Sequence, residues 1–210
     1  VVDPFEMADL YGVDAFRYFL LREIPFGSDG DFSEKGLAGR INSDLANDLG
    51  NLLNRTLQMI NSFAGGVIPL PSTPVTGLDA EIREMVISTR DAFVNRMDSY
   101  LFDEALKEVW ALVRRGNKYI DETMPWKLGK EKNTERLDPV LYTLCETLRM
   151  TATMIAPVMP ETAREIFVQL GLEGDPSNML YDSMDWGQIP PGSRVDKRDV
   201  LFPRIDMKEW

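Results

Sequence analysis

Apolar side chains at Leu45, Leu49, Leu52, Leu53, Ile60 and Phe63 recur near a 3.6-residue period, so one face of this stretch is patterned for a core. Ser33 stands where an N-cap belongs and Gly65-Gly66 where a helix stops, which predicts one helix of ~30 residues and ~45 Å between them. Upstream, Asp3 and Pro4 open a short helix that Gly12 interrupts, and the aromatic-rich run Asp14 to Leu21 forms a second that Pro25 stops. Downstream, Pro69, Pro71, Pro74 and Gly77 make an extended linker. Helices are then expected from Asp79 to about Tyr100 and from Asp103 to Met124, where Pro125 ends the second. Asn133 or Thr134 caps another through Ile155, Pro157 and Pro160 break it, and Glu161 to Leu170 forms the last before Gly171. Beyond Gly171 the chain is punctuated by Gly, Pro, Ser and Asp, with Val200-Leu201-Phe202 the only stretch patterned as a strand. The expected fold is all-α: a short helical adaptor over residues 1–33, an antiparallel bundle of about four main helices over 34–170, and an irregular tail over 171–210 packing on it.

Composition narrows the chemistry. The 210 residues contain no His and a single Cys, which excludes Ser-His-Asp and Cys-His catalysis, His-based or thiolate zinc sites and any disulfide within the chain. No catalytic residue and no metal ligand set is therefore expected. No apolar run reaches the ~18–20 residues needed to span a bilayer and no signal segment opens the chain, so a cytoplasmic location and no membrane partner are the expectation. Val1-Val2-Asp3-Pro4 lacks an initiator Met and enters a helix at once, as in a piece of a longer protein whose catalytic residues lie upstream. The net charge of −11 argues against non-specific nucleic-acid binding. It is unevenly spread, however: Arg114, Arg115, Lys118, Lys127, Lys130 and Lys132 outnumber Asp121, Glu122 and Glu131 in a helix end and the Lys-rich loop expected after it.

Two features carry candidate chemistry. On the polar face of the long helix, Asn47, Asn51, Arg55 and Gln58 follow at i, i+4, i+8 and i+11 and form a continuous ridge. Amide and guanidinium groups present donors and acceptors at fixed separations, as the edge of an unstacked base requires, although a solvated face has the same pattern. The second feature runs from Asn117 to Lys127. A Trp126 held just past a helix-ending proline offers an indole on which a single-stranded base can stack, with Lys127, Lys130 and Lys132 for phosphates. The alternative is an indole folded back over the helix end. Plainer roles fit the rest: Met150, Met154 and Met159 as core filler, Cys145 as a small buried hydrophobe, Asp3, Glu6, Asp9 and Asp14 as solvated acidic helix faces, and the Asn54-Arg55-Thr56 sequon as incidental in a helix.

Five blocks, Val1 to Pro4, Tyr11 to Tyr18, Pro25 to Ser33, Leu49 to Arg55 and Asn117 through Trp126, together resemble bacterial methionyl-tRNA synthetase in unbroken order over residues 1 to about 170. In that family the matching region starts after the lysine-rich loop that helps form the adenylate, passes through a stem-contact segment and becomes a helical anticodon-binding bundle. The resemblance implies that Asn51 and Arg55 hydrogen-bond the first anticodon base and that Trp126 stacks on it. Asn47, Gln58 and Asn117 join them by geometry alone. It further implies a chain inert by itself and without a cofactor, whose parent uses ATP, and whose partners are the CAU anticodon loop of tRNA(Met) and the parent's own catalytic domain. Two competing readings are the anticodon bundle of another class I synthetase, such as that for cysteine, leucine, isoleucine or valine, and a helical protein-interaction scaffold whose acidic surface takes a basic partner.

Overall fold

A computed structural model describes residues 2–71, 77–179 and 184–207. Helix α1 (Pro4–Tyr11) starts where the Asp3 carboxylate accepts the Phe5 N–H at 2.9 Å and Pro4 occupies the first turn. Gly12, with φ of +86°, ends it and turns the chain directly into α2 (Val13–Glu23). The Ser33 hydroxyl then accepts the Gly36 N–H at 3.1 Å and opens α3 (Glu34–Arg40).

The expected single α-helix over 34–63 is not uniform. Between α3 and α4 (Asn51–Phe63), residues Ile41–Gly50 are wound as a π-helix, and the Asn51 N–H still reaches back five residues to the Ala46 carbonyl. The core positions explain the departure. Leu37, Ile41, Leu45 and Leu49 are all buried at strict four-residue spacing, which in an ideal α-helix drifts by about 40° per step; a wider turn takes the drift back. Helix α6 (Phe102–Thr123) then supplies donors to this stretch: the Trp110 indole donates to the Asp44 carbonyl at 3.0 Å and the Asn117 amide to the Asp48 carbonyl at 2.9 Å.

Helix α5 (Leu78–Asp98) pairs antiparallel with α6 through a turn in which Tyr100 adopts φ of +60°. Helix α8 (Thr134–Ile155) lies in the middle, with α4, α5, α6 and α9 (Pro160–Gln169) around it, and every residue from Pro139 to Ile155 is buried. That burial includes Cys145, Met150 and Met154, and it pushes the Cys145 thiol pKa upward. Inside this core the Glu146 carboxylate takes Arg149 Nη2 at 2.7 Å together with the backbone N–H groups of Gly187 at 3.0 Å and Ile189 at 2.8 Å, so the tail is fastened to the bundle by a buried ion pair.

Three expectations are corrected. The Lys-rich loop after Pro125 is instead a short helix, α7 (Pro125–Lys130), because a proline that cannot continue α6 is well placed at the first position of a new helix; Asn133 then caps α8. Val200-Leu201-Phe202 forms a bend, and the described residues contain no strand, only one isolated bridge between Val67 and Arg194. Asp14 is not part of a solvated acidic face: it is buried, and its carboxylate accepts the Thr162 N–H at 2.6 Å and hydroxyl at 2.8 Å, holding the start of α9 against α2. The Pro74 portion of the expected linker lies outside the described residues. No helix among those described is long and apolar enough to cross a membrane.

Candidate nucleic-acid interface

The apolar face of the long helix turns inward through Leu45, Leu49, Leu52, Leu53 and Ile60, which leaves the polar ridge outward. Asn51 and Gln58 are exposed and Arg55 half-buried between them. At Asn51 the winding changes from π to α, so its side chain leaves the helix at the end of the wide segment. Asn47, the fourth ridge residue, is exposed too, yet its side-chain oxygen already accepts a hydrogen bond from Arg204 of the tail. Nearby, Asn42 exchanges a pair of hydrogen bonds with the backbone of Ile205, at 2.9 and 2.8 Å.

Helix α6 approaches this ridge closely at Gly116, where a Cβ would stand 3.1 Å from both Leu52 Cδ atoms. That proximity lets three side chains beyond Gly116 or beside it reach across. Asn117 bridges to the Asp48 carbonyl as described, while its own Oδ1 is buried with no hydrogen-bond partner among the described residues. Arg114 sits 3.6 Å from the Asp48 carboxylate. Asp121 accepts from Arg55 Nη2 at 2.5 Å. Burial raises the Asp48 carboxyl above the ordinary carboxylate range; the Arg114 cation pulls it down and Asp44 adds to the rise.

Beyond Asp121 the chain passes Met124, whose left-handed backbone (φ 45°) separates α6 from α7. Trp126 therefore follows Asp121 by five residues on a new helix, 37% exposed. It is neither sealed in the core nor free of the protein surface. Lys127 and Lys130 are exposed on the same short helix, and Lys127 is 4.0 Å from Glu131. Helix α7 is itself seated on the end of α4, where Gly129 lies against the Phe63 ring.

Asn51 and Arg55 thus share a ridge one turn apart, and Asp121 ties Arg55 to the helix that leads to Trp126. Asn117 serves as a helix-to-helix bridge, and Asn47 as an anchor for the tail. Sequence reasoning missed the Arg55–Asp121 link; the signal for it was the i+4 spacing of Asn117 and Asp121 on the helix face that meets the ridge. Among the described residues Arg55 gives one of its five donors to Asp121. Among the described residues no group of His, Cys, Asp or Glu side chains is arranged to hold a metal ion.

Residues 1–57 match the family described as tRNA synthetases class I (M), and residues 71–210 match the anticodon binding domain of methionyl tRNA ligase. The methionine-tRNA ligase of Caldanaerobacter subterraneus is 49% identical over all of this chain, and that of Fusobacterium nucleatum is 46% identical. The chain spans about a third of the length of these relatives, 32% and 33%. Among solved structures, the free-state methionyl-tRNA synthetase of Mycobacterium tuberculosis superposes with a TM-score of 0.89 at 36% identity, covering 98% of this chain and 41% of that one. With a family domain over its last two thirds and near-half identity along its whole length, the chain belongs to the methionine-tRNA ligase family and carries that family's anticodon-binding domain.

Proposed function

We propose that the chain reads the CAU anticodon of tRNA(Met), with Asn51 and Arg55 hydrogen-bonding the first anticodon base while Trp126 stacks on it, and that this recognition licenses aminoacylation by a catalytic domain elsewhere in the protein. Cytosine presents an N4 donor beside N3 and O2 acceptors. An Asn amide and an Arg guanidinium match that edge, and single-stranded loop bases are accessible to them where the deep groove of an RNA helix is not. The observation that carries the reading is the half-buried Arg55, held by Asp121 one turn from the exposed Asn51. Gln58, Lys127 and Lys130 are exposed around the same place and supply secondary contacts; the engaged amides of Asn47 and Asn117 make them supports of the site. In this reading the chain has no catalytic residues or cofactor of its own, and the parent is an ATP-dependent ligase of the cytoplasm.

The test is titration with anticodon stem-loops carrying CAU and single-base variants such as UAU. Tighter binding of CAU by tenfold or more supports base reading. Equal affinity for every loop defeats the base-reading assignment of Asn51, Arg55 and Trp126.

A further inference from the structure

Lys107, Arg114 and Lys118 project from one strip of α6. At 100° and 1.5 Å per residue they fall within an arc of about 40° and are separated by about 10 Å and about 6 Å along the axis. Their side chains are 50%, 53% and 70% exposed. Arg115, one residue away, turns toward α5, where it approaches Glu81, and shares Glu122, at 2.8 Å, with Lys118. Each residue of the strip has one carboxylate beside it: Asp103 at 2.6 Å for Lys107, Asp48 at 3.6 Å for Arg114 and Glu122 at 3.7 Å for Lys118. The Arg114 and Lys118 pairs are open to solvent and weak, so a phosphate can replace them, whereas the buried Asp103 keeps its hold on Lys107 and a phosphate there meets the exposed side of the ammonium.

The strip has two defined ends. Lys118 lies one turn before Asp121, the residue that holds Arg55. Lys107 lies one turn before Trp110, whose ring packs against Tyr18 of α2 at a centroid distance of 4.3 Å and an interplanar angle of 37°. It therefore runs from the base-reading ridge to the N-terminal adaptor. On a protein of net charge −11, a polyanion is tolerated only where cations stand together.

From this we infer that Lys107, Arg114 and Lys118 form a phosphate track that carries one strand of the anticodon stem away from the loop and toward the adaptor, adding stem affinity to the base contacts of Asn51, Arg55 and Trp126. The inference rests on the base-reading proposal. Phosphate contacts carry no sequence information of their own.

The test compares the 210-residue chain with the triple variant Lys107→Ala/Arg114→Ala/Lys118→Ala and with the charge-retaining Lys107→Arg/Arg114→Lys/Lys118→Arg, all checked for unchanged thermal unfolding. The probes are a CAU hairpin, a UAU hairpin and a single-stranded oligonucleotide bearing the CAU loop bases. The slope of log affinity against log salt for the CAU hairpin should fall in magnitude by about two to three in the alanine variant, from three contacts at ~0.7–0.9 each, and be kept in the charge-retaining one. Single-strand binding and the CAU-to-UAU ratio should stay at wild-type values. An alanine variant with the wild-type hairpin slope overturns the track even while the CAU preference persists. Equal loss for hairpin and single strand also overturns it, since the strip would then attract any polyanion. Absence of CAU preference in the wild-type chain is a separate failure, that of base reading, and is read from the two hairpins before any variant is made.

Discussion

Trp126 tests the site at the scale of one residue, because its indole is 37% exposed and lies outside the buried core cluster. Replacing it with Ala should weaken CAU stem-loop binding by ~1–3 kcal/mol, the worth of one stacked base, and leave cooperative thermal unfolding intact; Phe should restore part of the loss. A variant that melts early and still binds as wild type would place the indole in the fold instead. Arg55 is similarly separable from stability, since its partner Asp121 is 64% exposed and an open surface pair is worth little. If both contact one base as proposed, Asn51→Ala and Arg55→Ala should each cost ~1–3 kcal/mol of CAU affinity, and the double change should depart from their sum by ~0.5 kcal/mol or more. Discrimination against UAU should shrink in step, as uracil exchanges the N4 donor and N3 acceptor for an acceptor and a donor. Asp48 makes a prediction about pH. Its folded-state pKa lies above the ordinary 3.8, so the folded chain holds this proton more tightly than the unfolded one, and the stability it lends at low pH is lost as pH rises through the raised value. Asp48→Asn should therefore be more stable than wild type at pH 7, with the gain vanishing below about pH 4, as chemical denaturation across that range can measure.

Elements were legible wherever local signals agreed. The caps at Asp3, Ser33 and Asn133 and the stops at Gly12 and Gly65 lie where the chain announces them, because each is decided by a few neighbouring residues. The π-helical stretch was hidden by the assumption of a 3.6 period, although the four-residue spacing of Leu37, Ile41, Leu45 and Leu49 was in plain view. What stabilises it lies on α6, in Trp110 and Asn117, and no local pattern names a donor 66 or 69 residues away. The same distance concealed the hold of Arg204 on Asn47, the burial of Asp14 beneath α9 and the link from Arg55 to Asp121. At this scale Gly171 is the sharpest test. It combines φ of +67° with a position where a Cβ would lie 1.8 Å from the Arg194 carbonyl oxygen, so the end of α9 can pass the tail only without a side chain. Gly171→Ala should destabilise by about 3 kcal/mol in denaturant unfolding, a loss that leaves little room for relief because the obstacle is backbone.

Over the whole molecule, stability and recognition are placed in different regions, and one substitution can show it. Glu146 has no exposed surface and holds Arg149 along with the Gly187 and Ile189 amides, so it joins the central helix to the tail at a point governed by α8, away from the ridge on α4. Glu146→Gln keeps the shape and removes the charge, leaving the guanidinium of Arg149, itself nearly sealed from water, without its counter-ion. Breaking a buried pair from one side typically costs ~3–5 kcal/mol, since the remaining charge is uncompensated. For a chain of this length that corresponds to a fall in Tm of roughly 6–20 °C. The CAU-to-UAU affinity ratio of the fraction still folded, measured well below the new transition, should be unchanged, because neither Asn51, Arg55 nor Trp126 touches the tail contact. A stable variant with altered anticodon preference would show instead that the buried pair acts on the ridge through α8, and that the bundle transmits strain from its core to the proposed site.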